Sequence, residues 1–303
     1  MKLFELFDYD KRGKIVNRNF SNQLLLDNNF HESLKINGYV HIKNVIVRSE
    51  IEILKKIFLQ YKNHNGFEHV NYYTNTIGFF DHKIRVELKS ATDNILYNIL
   101  KRIYNINKTF FPLGGGFAVN PAFSNRGCLP HQDPTFVDED KTFSTTTWLG
   151  LEDTTIENGC LWALNGSHIW GNKYRSVRIP WKFNNCIDQL WDLMTPIPIN
   201  AGDILCFDVA LIHASKMNIT AKDRLAMTVQ AFPTQETLLS YHPNGKYFVD
   251  EYIIDGDYFI KESQYEKPSK KYKKRSIFTS ISNYKPEDVI KLNKQYLEIF
   301  FNN

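Results

Sequence analysis

The chain has 303 residues, 43% apolar and 14% aromatic; this is the composition of a globular protein able to bury a full core, and it excludes a disordered chain. The formal net charge of +4 is mild, so a nucleic-acid partner, which would want clustered Lys and Arg on one face, is not expected. No run of about 18 apolar residues predicts a membrane span, and no secretory leader precedes Cys128, Cys160, Cys186 and Cys206, which read as reduced thiols of a cytoplasmic protein.

Residues 1 to about 30 carry no clear period and predict a draped arm or a helix. The alternation in NGYVHIKNVI (37–46) predicts a strand. SEIEILKKIFLQYK follows, with Ser49 as the expected N-cap and Ile51, Ile53, Leu54, Ile57 and Phe58 on one helical stripe. A further helix is expected over about 90–106, with Ile95, Leu96, Ile99, Leu100 and Ile103 inward. Asp93 near its start and Lys101 and Arg102 near its end suit the helix dipole.

From about 109, short β-branched and aromatic runs alternate with turn residues. Strands are predicted near 115–120, 129–133, 144–151, 159–164, 196–199, 203–208, 211–215 and 223–232. Such a series predicts a mainly β protein with flanking helices, its core an antiparallel double sheet, a jelly roll. The earlier helices would cover one outer sheet face. Residues 165–195 form a Trp- and Arg-rich insert too long for a hairpin, holding Trp170, Arg175, Arg178, Trp181, Lys182 and Trp191. Long loops in such a barrel often roof the active site; for the insert's aromatics loop packing is the first expectation and a substrate lid the alternative, with substrate-facing side chains expected from 134–143, the insert and the C-terminal part. Beyond Pro233, Asn244-Gly245 signals a hairpin, and the basic run KPSKKYKKRS (267–276) a solvated loop. KPEDVIKLNKQYLEIFF reads as a helix opened by Pro286, with Val289, Ile290, Leu292 and Leu297 inward. One domain is expected: a helical part over about 1–108, a jelly-roll core over about 109–233 and an extension over about 234–303.

Chemistry concentrates in Pro130-His131-Gln132-Asp133-Pro134. Side chains two apart on a strand share a face, so His131 and Asp133 can grip one ion together. His213 lies on a later apolar run. Two histidines and one carboxylate with open positions left over make the facial triad of non-haem Fe(II) oxygenases. A lone histidine is more often structural, and His31, His41, His64, His69, His82 and His242 have no usable acidic partner in the sequence. In DRLAMTVQAF, Arg224, Ala226, Thr228 and Gln230 fall on one strand face. An arginine among small and polar side chains suits a polar cavity and bidentate capture of a carboxylate.

The pieces NPAFSNRGCLPHQD, TTWLGLEDTTIENGCLWALNGSH, AGDILCFDVALIHAS and NITAKDRLAMTVQAF occur in that order. Together they resemble the phytanoyl-CoA dioxygenase (PhyH) family of Fe(II)/2-oxoglutarate oxygenases, over about 115–232; NGYVHIKNVI and its helix resemble the family's N-terminal entry. The resemblance implies a cupin-like, double-stranded β-helix core and iron ligands at His131, Asp133 and His213. It implies a 2-oxoglutarate site with Arg224 on the distal carboxylate, Ser215 beside it, Trp148 lining the pocket and Asn120 at a polar position. His168, in the Asn165-Gly166-Ser167-His168 turn, is implied to be structural. Two departures, Asn165 for a common Pro and Ala214 for a common Gly, touch no implied ligand. Asp133 itself is absent from halogenating relatives, so its presence implies hydroxylation of an unactivated C–H bond by O2. The substrate is expected to be a small molecule, acted on by a monomer or homodimer with no nucleic-acid or membrane partner. Desaturation or ring closure by the same chemistry, and a non-catalytic cupin-like binding protein, are the alternatives.

Overall fold

Two periodicities set the layers, 3.6 in the first third of the chain and 2 from there to Pro233. The computed structural model describes residues 15–16, 18–64, 67–79, 81–112, 114–245, 247–262, 267–279 and 283–301. Of the arm expected over residues 1–30, residues 1–14 and 17 lie outside the described residues.

The first third is helical. Helix α1 (Asn28–Asn37) starts at Asp27, whose carboxylate accepts the Asn29 N–H. It stops at Gly38, where φ is 84° and an added Cβ would meet His168 at 2.6 Å. Strand β1 (Tyr39–Ile42) follows, then α2 (Arg48–Tyr61). Val47, not Ser49, is the α2 cap; Glu50 accepts the Val47 N–H at 3.1 Å, and Ser49 sits inside the first turn. After β2 (Thr74–Asn75) and the short α3 (Thr76–Phe79) comes α4 (His82–Leu100). This helix starts well before the expected position 90, because Asp81 caps it by accepting from Ile84 N–H. Asp93 is therefore mid-helix, paired with Lys89 at 2.7 Å, and Ile103 is buried in the turn beyond the helix end.

The jelly roll comprises β3 (Thr109–Phe110), β4 (Gly116–Asn120), β5 (Cys128–His131), β6 (Thr145–Gly150), β7 (Leu161–Ala163), β8 (Thr195–Ile197), β9 (Ile204–Asp208), β10 (His213–Ser215) and β11 (Arg224–Pro233), with β1 and β2 added. One sheet runs β1-β9-β6-β11-β4-β2 with β3 on β11; the other runs β5-β10-β7-β8, and among the described residues the strand pairings within them are antiparallel. The alternation of β11 decides what each face does. Leu225, Met227, Val229 and Ala231 pack outward with Leu54, Ile57 and Phe58 of α2 and Leu88, Leu96, Ile99 and Leu100 of α4. Each such burial contributes about 1.5–3 kcal/mol. Between the sheets, Ala118, Trp148, Leu161, Ala163, Leu205 and Phe207 form a second apolar cluster.

The chain after Pro233 adds a third sheet, β12 (Leu238–Asn244), β13 (Phe248–Ile254) and β14 (Lys274–Phe278), with helix α6 (Gly256–Lys261) between β13 and β14 and helix α7 (Pro286–Phe301) last; α5 (Ile187–Leu193) precedes β8. The Asn244-Gly245 hairpin joins β12 to β13, with Gly245 at φ 71°. The basic run is not all loop: its end enters β14, where Lys274 pairs with Asp250 at 2.7 Å and Arg275 with Glu251 at 2.5 Å. Helix α7 buries Val289, Leu292 and Tyr296, while Ile290 and Leu297 are exposed on its outer side. The inward stripe is thus rotated from the expected one, toward Tyr296. Of the two readings of the insert's aromatics, packing is the one that holds. Trp170, Phe183 and Leu190 of the insert pack with Tyr284, Val289, Leu292 and Tyr296, so its aromatic side chains fill a core between insert and C-terminal helix. The four cysteines are free, and among the described residues no helix is long and apolar enough to cross a membrane.

Candidate active site

His131 ends β5 and His213 opens β10, and the two are register partners on adjacent strands, with ring centroids 4.2 Å apart. Each ring directs Nδ1 at the carbonyl two residues back, His131 to Leu129 at 2.9 Å and His213 to Leu211 at 3.0 Å. A carbonyl only accepts, so both Nδ1 atoms carry the proton and both Nε2 lone pairs are left for a ligand role. Asp133 completes the group from the loop after β5, not from the strand itself. Its Oδ1 lies 3.8 Å from His131 Nε2 and 3.9 Å from His213 Nε2, too far for hydrogen bonds and suited to sharing one ion. Oδ2 accepts from Thr146 Oγ1 at 2.5 Å, leaving Oδ1 for that role.

The two rings differ in their electrostatics, and a metal taking His131 Nε2 displaces a proton that this ring favours. Burial lowers the His131 pKa, but Cys128, with Sγ 3.6 Å from its Nδ1, and Asp133 outweigh burial and raise it to about 10. Burial, followed by the neighbouring His131, pushes His213 down to about 4. Two imidazole nitrogens and one carboxylate oxygen, on one side of an otherwise open cavity, fit the donor preference of iron(II).

Arg224 opens β11, register partner of Asn120, and is 1% exposed. Its Nη1 donates to Ala118 O at 3.3 Å and Nη2 to Ser215 Oγ at 3.2 Å, while Nε has no partner. Trp148 and Tyr73 flank the guanidinium at 5.2 and 5.5 Å. Among the described residues no carboxylate ion-pairs with it, and burial lowers its pKa. A buried charge of this kind is costly unless an anion meets it. Arg224, Trp148, Ser215 and the three triad residues line one cavity of about 500 Å³.

Asn120 is placed differently from the cosubstrate position the resemblance implied. Its amide donates to Lys216 O at 2.8 Å and accepts from Ser124 Oγ at 2.7 Å, and it stands off the cavity wall. Its polar atoms are used in holding the turn after β10. Ser215 donates to Gly159 O at 2.8 Å while accepting from Arg224. His168 is buried, donates Nε2–H to Lys35 O at 3.1 Å and is held near pKa 3 by burial, then by Arg18; it is away from the triad. Of the insert, Val177 alone reaches the wall. The far wall comes from residues that sequence reasoning missed: Tyr72, Tyr73, Asn75, Ile77 and Arg85, plus Cys128 beside His131. From the C-terminal part, Tyr258, Phe259 and Glu262 close the rim. The aromatic density of Tyr72-Tyr73 was the one available signal, and it has no period to say where it packs.

The family model for phytanoyl-CoA dioxygenase (PhyH) matches residues 34–226. Phytanoyl-CoA dioxygenase 1 of Oryza sativa subsp. japonica is 38% identical over 111 residues, 35% of this chain and 39% of that protein. Phytanoyl-CoA dioxygenase domain-containing protein 1 of Mus musculus is 31% identical over 119 residues, 37% of this chain and 41% of that protein. The match thus spans about two fifths of these curated relatives. A similar solved structure is the epimerase SnoN in complex with Fe3+, alpha-ketoglutarate and nogalamycin RO, at TM-score 0.51 and 19% identity, covering 72% of this chain and 86% of that one. That likeness is one of fold, the jelly roll with flanking helices.

Proposed function

This chain belongs to the phytanoyl-CoA dioxygenase (PhyH) family, and from that premise we propose that it is an Fe(II)- and 2-oxoglutarate-dependent dioxygenase that hydroxylates a C–H bond of a small molecule. The observation that carries the reading is Arg224, a buried guanidinium with no acidic partner in the cavity that also holds the triad. A dicarboxylate whose far end pairs with Arg224 supplies the missing anion. SnoN, the similar fold, was solved with Fe3+ and alpha-ketoglutarate.

His131, Asp133 and His213 hold the metal in this reading, through both Nε2 atoms and Oδ1. Bound iron, with 2-oxoglutarate and O2, supplies the oxidation: one oxygen atom enters the product hydroxyl and the other succinate, with CO2 released. The protein's own part is orientation. The Leu129 and Leu211 carbonyls fix the two rings, and Thr146 fixes which carboxylate oxygen points inward. Arg224 and Ser215 orient the cosubstrate, with Trp148 and Tyr73 keeping water from the guanidinium. The remaining volume, walled by Tyr72, Ile77, Phe136 and Phe259 with Gln230 among them, suits a substrate with a planar or apolar part and a hydrogen-bonding group. The protein acts in the cytoplasm as one domain, a monomer or homodimer with no nucleic-acid or membrane partner.

The test is oxygen-dependent formation of succinate from 2-oxoglutarate by iron-loaded protein. Wild type is expected to form succinate, slowly without substrate and faster when a pool of small metabolites contains it. His131→Ala is expected to form none; succinate at the wild-type rate from that variant overturns the assignment.

A further inference from the structure

Asp133 poses a positioning problem. The ladder between β5 and β10 holds His131 and His213, yet it ends at that pair and leaves Asp133 in irregular backbone. Its carboxylate must come to the same point as two rings locked in a sheet. The segment 132–135 is held from two sides. On one side, Asp133 N–H donates to Val209 O at 2.9 Å and Gln132 Nε2 to Ala210 O at 2.6 Å. On the other side is the insert. Arg175 Nε donates to Asp133 O at 2.9 Å, and Thr135 N–H returns a bond to Arg175 O at 3.0 Å. Thr135 Oγ1 donates to Lys173 O at 2.8 Å, and Gln132 Oε1 accepts from Asn172 Nδ2 at 2.9 Å and Trp181 Nε1 at 3.1 Å.

Arg175 is itself fixed. It is 4% exposed, and its fork spans Glu139, Nη1 to Oε2 at 2.8 Å and Nη2 to Oε1 at 2.7 Å. Glu139 lies 3.5 Å from Arg18, which pairs with Asp208 at 2.7 Å. Four buried charges are a poor device for stability alone, since apolar side chains of the same volume often do as well. They do fix a plane: with both Nη atoms on Glu139, the Arg175 Nε–H has one direction left, at the carbonyl of Asp133. Arg175 does not line the cavity.

We propose that residues 172–181 of the insert are a buttress for the metal-binding carboxylate, with Arg175 as the positioning residue that sets the backbone of Asp133. The proposal rests on the metal-centre reading above. It assigns the insert a task quite different from roofing a substrate.

The experiment compares metal-free wild type, Arg175→Lys and Trp181→Phe by Co(II) titration, following affinity and the ligand-field spectrum, with thermal melts of the metal-free forms. Lysine keeps a charge for Glu139 but lacks the fork. Arg175→Lys is expected to bind Co(II) roughly 10-fold more weakly or worse, with a changed spectrum, while the metal-free forms melt alike. Trp181→Phe, which loses the indole N–H bond to Gln132 and keeps a smaller aromatic ring, is expected to show a smaller loss of the same kind. Wild-type affinity and spectrum in Arg175→Lys overturn the proposal. Should Arg175→Lys fail to fold, Trp181→Phe decides, and an unchanged affinity there overturns it equally. Failure of wild type itself to bind Co(II) is a separate result, which removes the metal centre and the buttress with it.

Discussion

Arg224 carries a charge that the protein does not neutralise, and the consequence is testable at that residue. Replacement by Met keeps volume and removes the buried charge. Arg224→Met is expected to leave the ligand-free melting temperature unchanged or higher. Its apparent affinity for 2-oxoglutarate should fall roughly 10- to 100-fold, the worth of a charge-assisted pair. Thermal melts with and without 2-oxoglutarate check both; stabilisation by 2-oxoglutarate equal to wild type would contradict the role. Thr146 offers a second test at this scale. Its hydroxyl holds Asp133 Oδ2, so Thr146→Val should weaken metal binding about 10- to 100-fold. A titration showing wild-type metal affinity would count against it. What was legible at this scale was the grouping of His131, Asp133, His213 and Arg224, since residue type and spacing carry it. The i, i+2 argument for Asp133 was less apt than its result, because Pro134 follows and the strand stops at His131. Cys128 gave no signal, since nothing in a lone thiol says which imidazole it will lie against.

At the scale of elements, the edge strand β1 is laddered to β9 and tied further by one carboxylate. Asp203, 1% exposed, accepts from Asn44 N–H at 2.9 Å, His41 Nε2 at 2.9 Å and Asn200 N–H at 3.2 Å. Burial raises its pKa, but these hydrogen bonds outweigh burial and hold it below the usual aspartate value. A carboxyl depressed in the folded state stabilises above its unfolded pKa, and that stability is lost as pH falls through the folded pKa. Asp203→Asn should therefore cost about 2 kcal/mol near neutral pH. The gap should narrow once pH drops below about 4, where the unfolded aspartate also binds a proton. Denaturant melts at a series of pH values check it; a gap that stays constant down to pH 2 would contradict the assignment. Helix α7 gives a packing test. Leu292 is fully buried against the insert, and Leu292→Ala should cost about 2–5 kcal/mol, read by the same melts. Helix ends were the least legible feature, because caps depend on single residues such as Asp81 and Glu50. The stripes of α2 and α4 were legible, because several apolar residues repeat the period in each.

For the molecule as a whole, the sequence carried the double sheet and its helical cover, which follow from local alternation: β11 shows both faces in one run of ten residues. It did not carry which distant segments meet. Tyr72 and Tyr73, Arg85 and Phe259 close one cavity from three parts of the chain, and no periodicity encodes such a meeting. The insert shows the same limit. Tryptophans in a long loop are consistent with a roof or with a core, and only the position of Tyr284, Leu292 and Tyr296 decides for the core.

The most direct test of the account is an anaerobic titration of metal-free protein with Fe(II) and then 2-oxoglutarate, watching for the visible metal-to-ligand charge-transfer band of the chelate. The account predicts that the band appears in wild type, is absent in His213→Ala, and needs far more 2-oxoglutarate in Arg224→Met. Iron binding with no band on adding 2-oxoglutarate, or a band in His213→Ala as strong as in wild type, would contradict it.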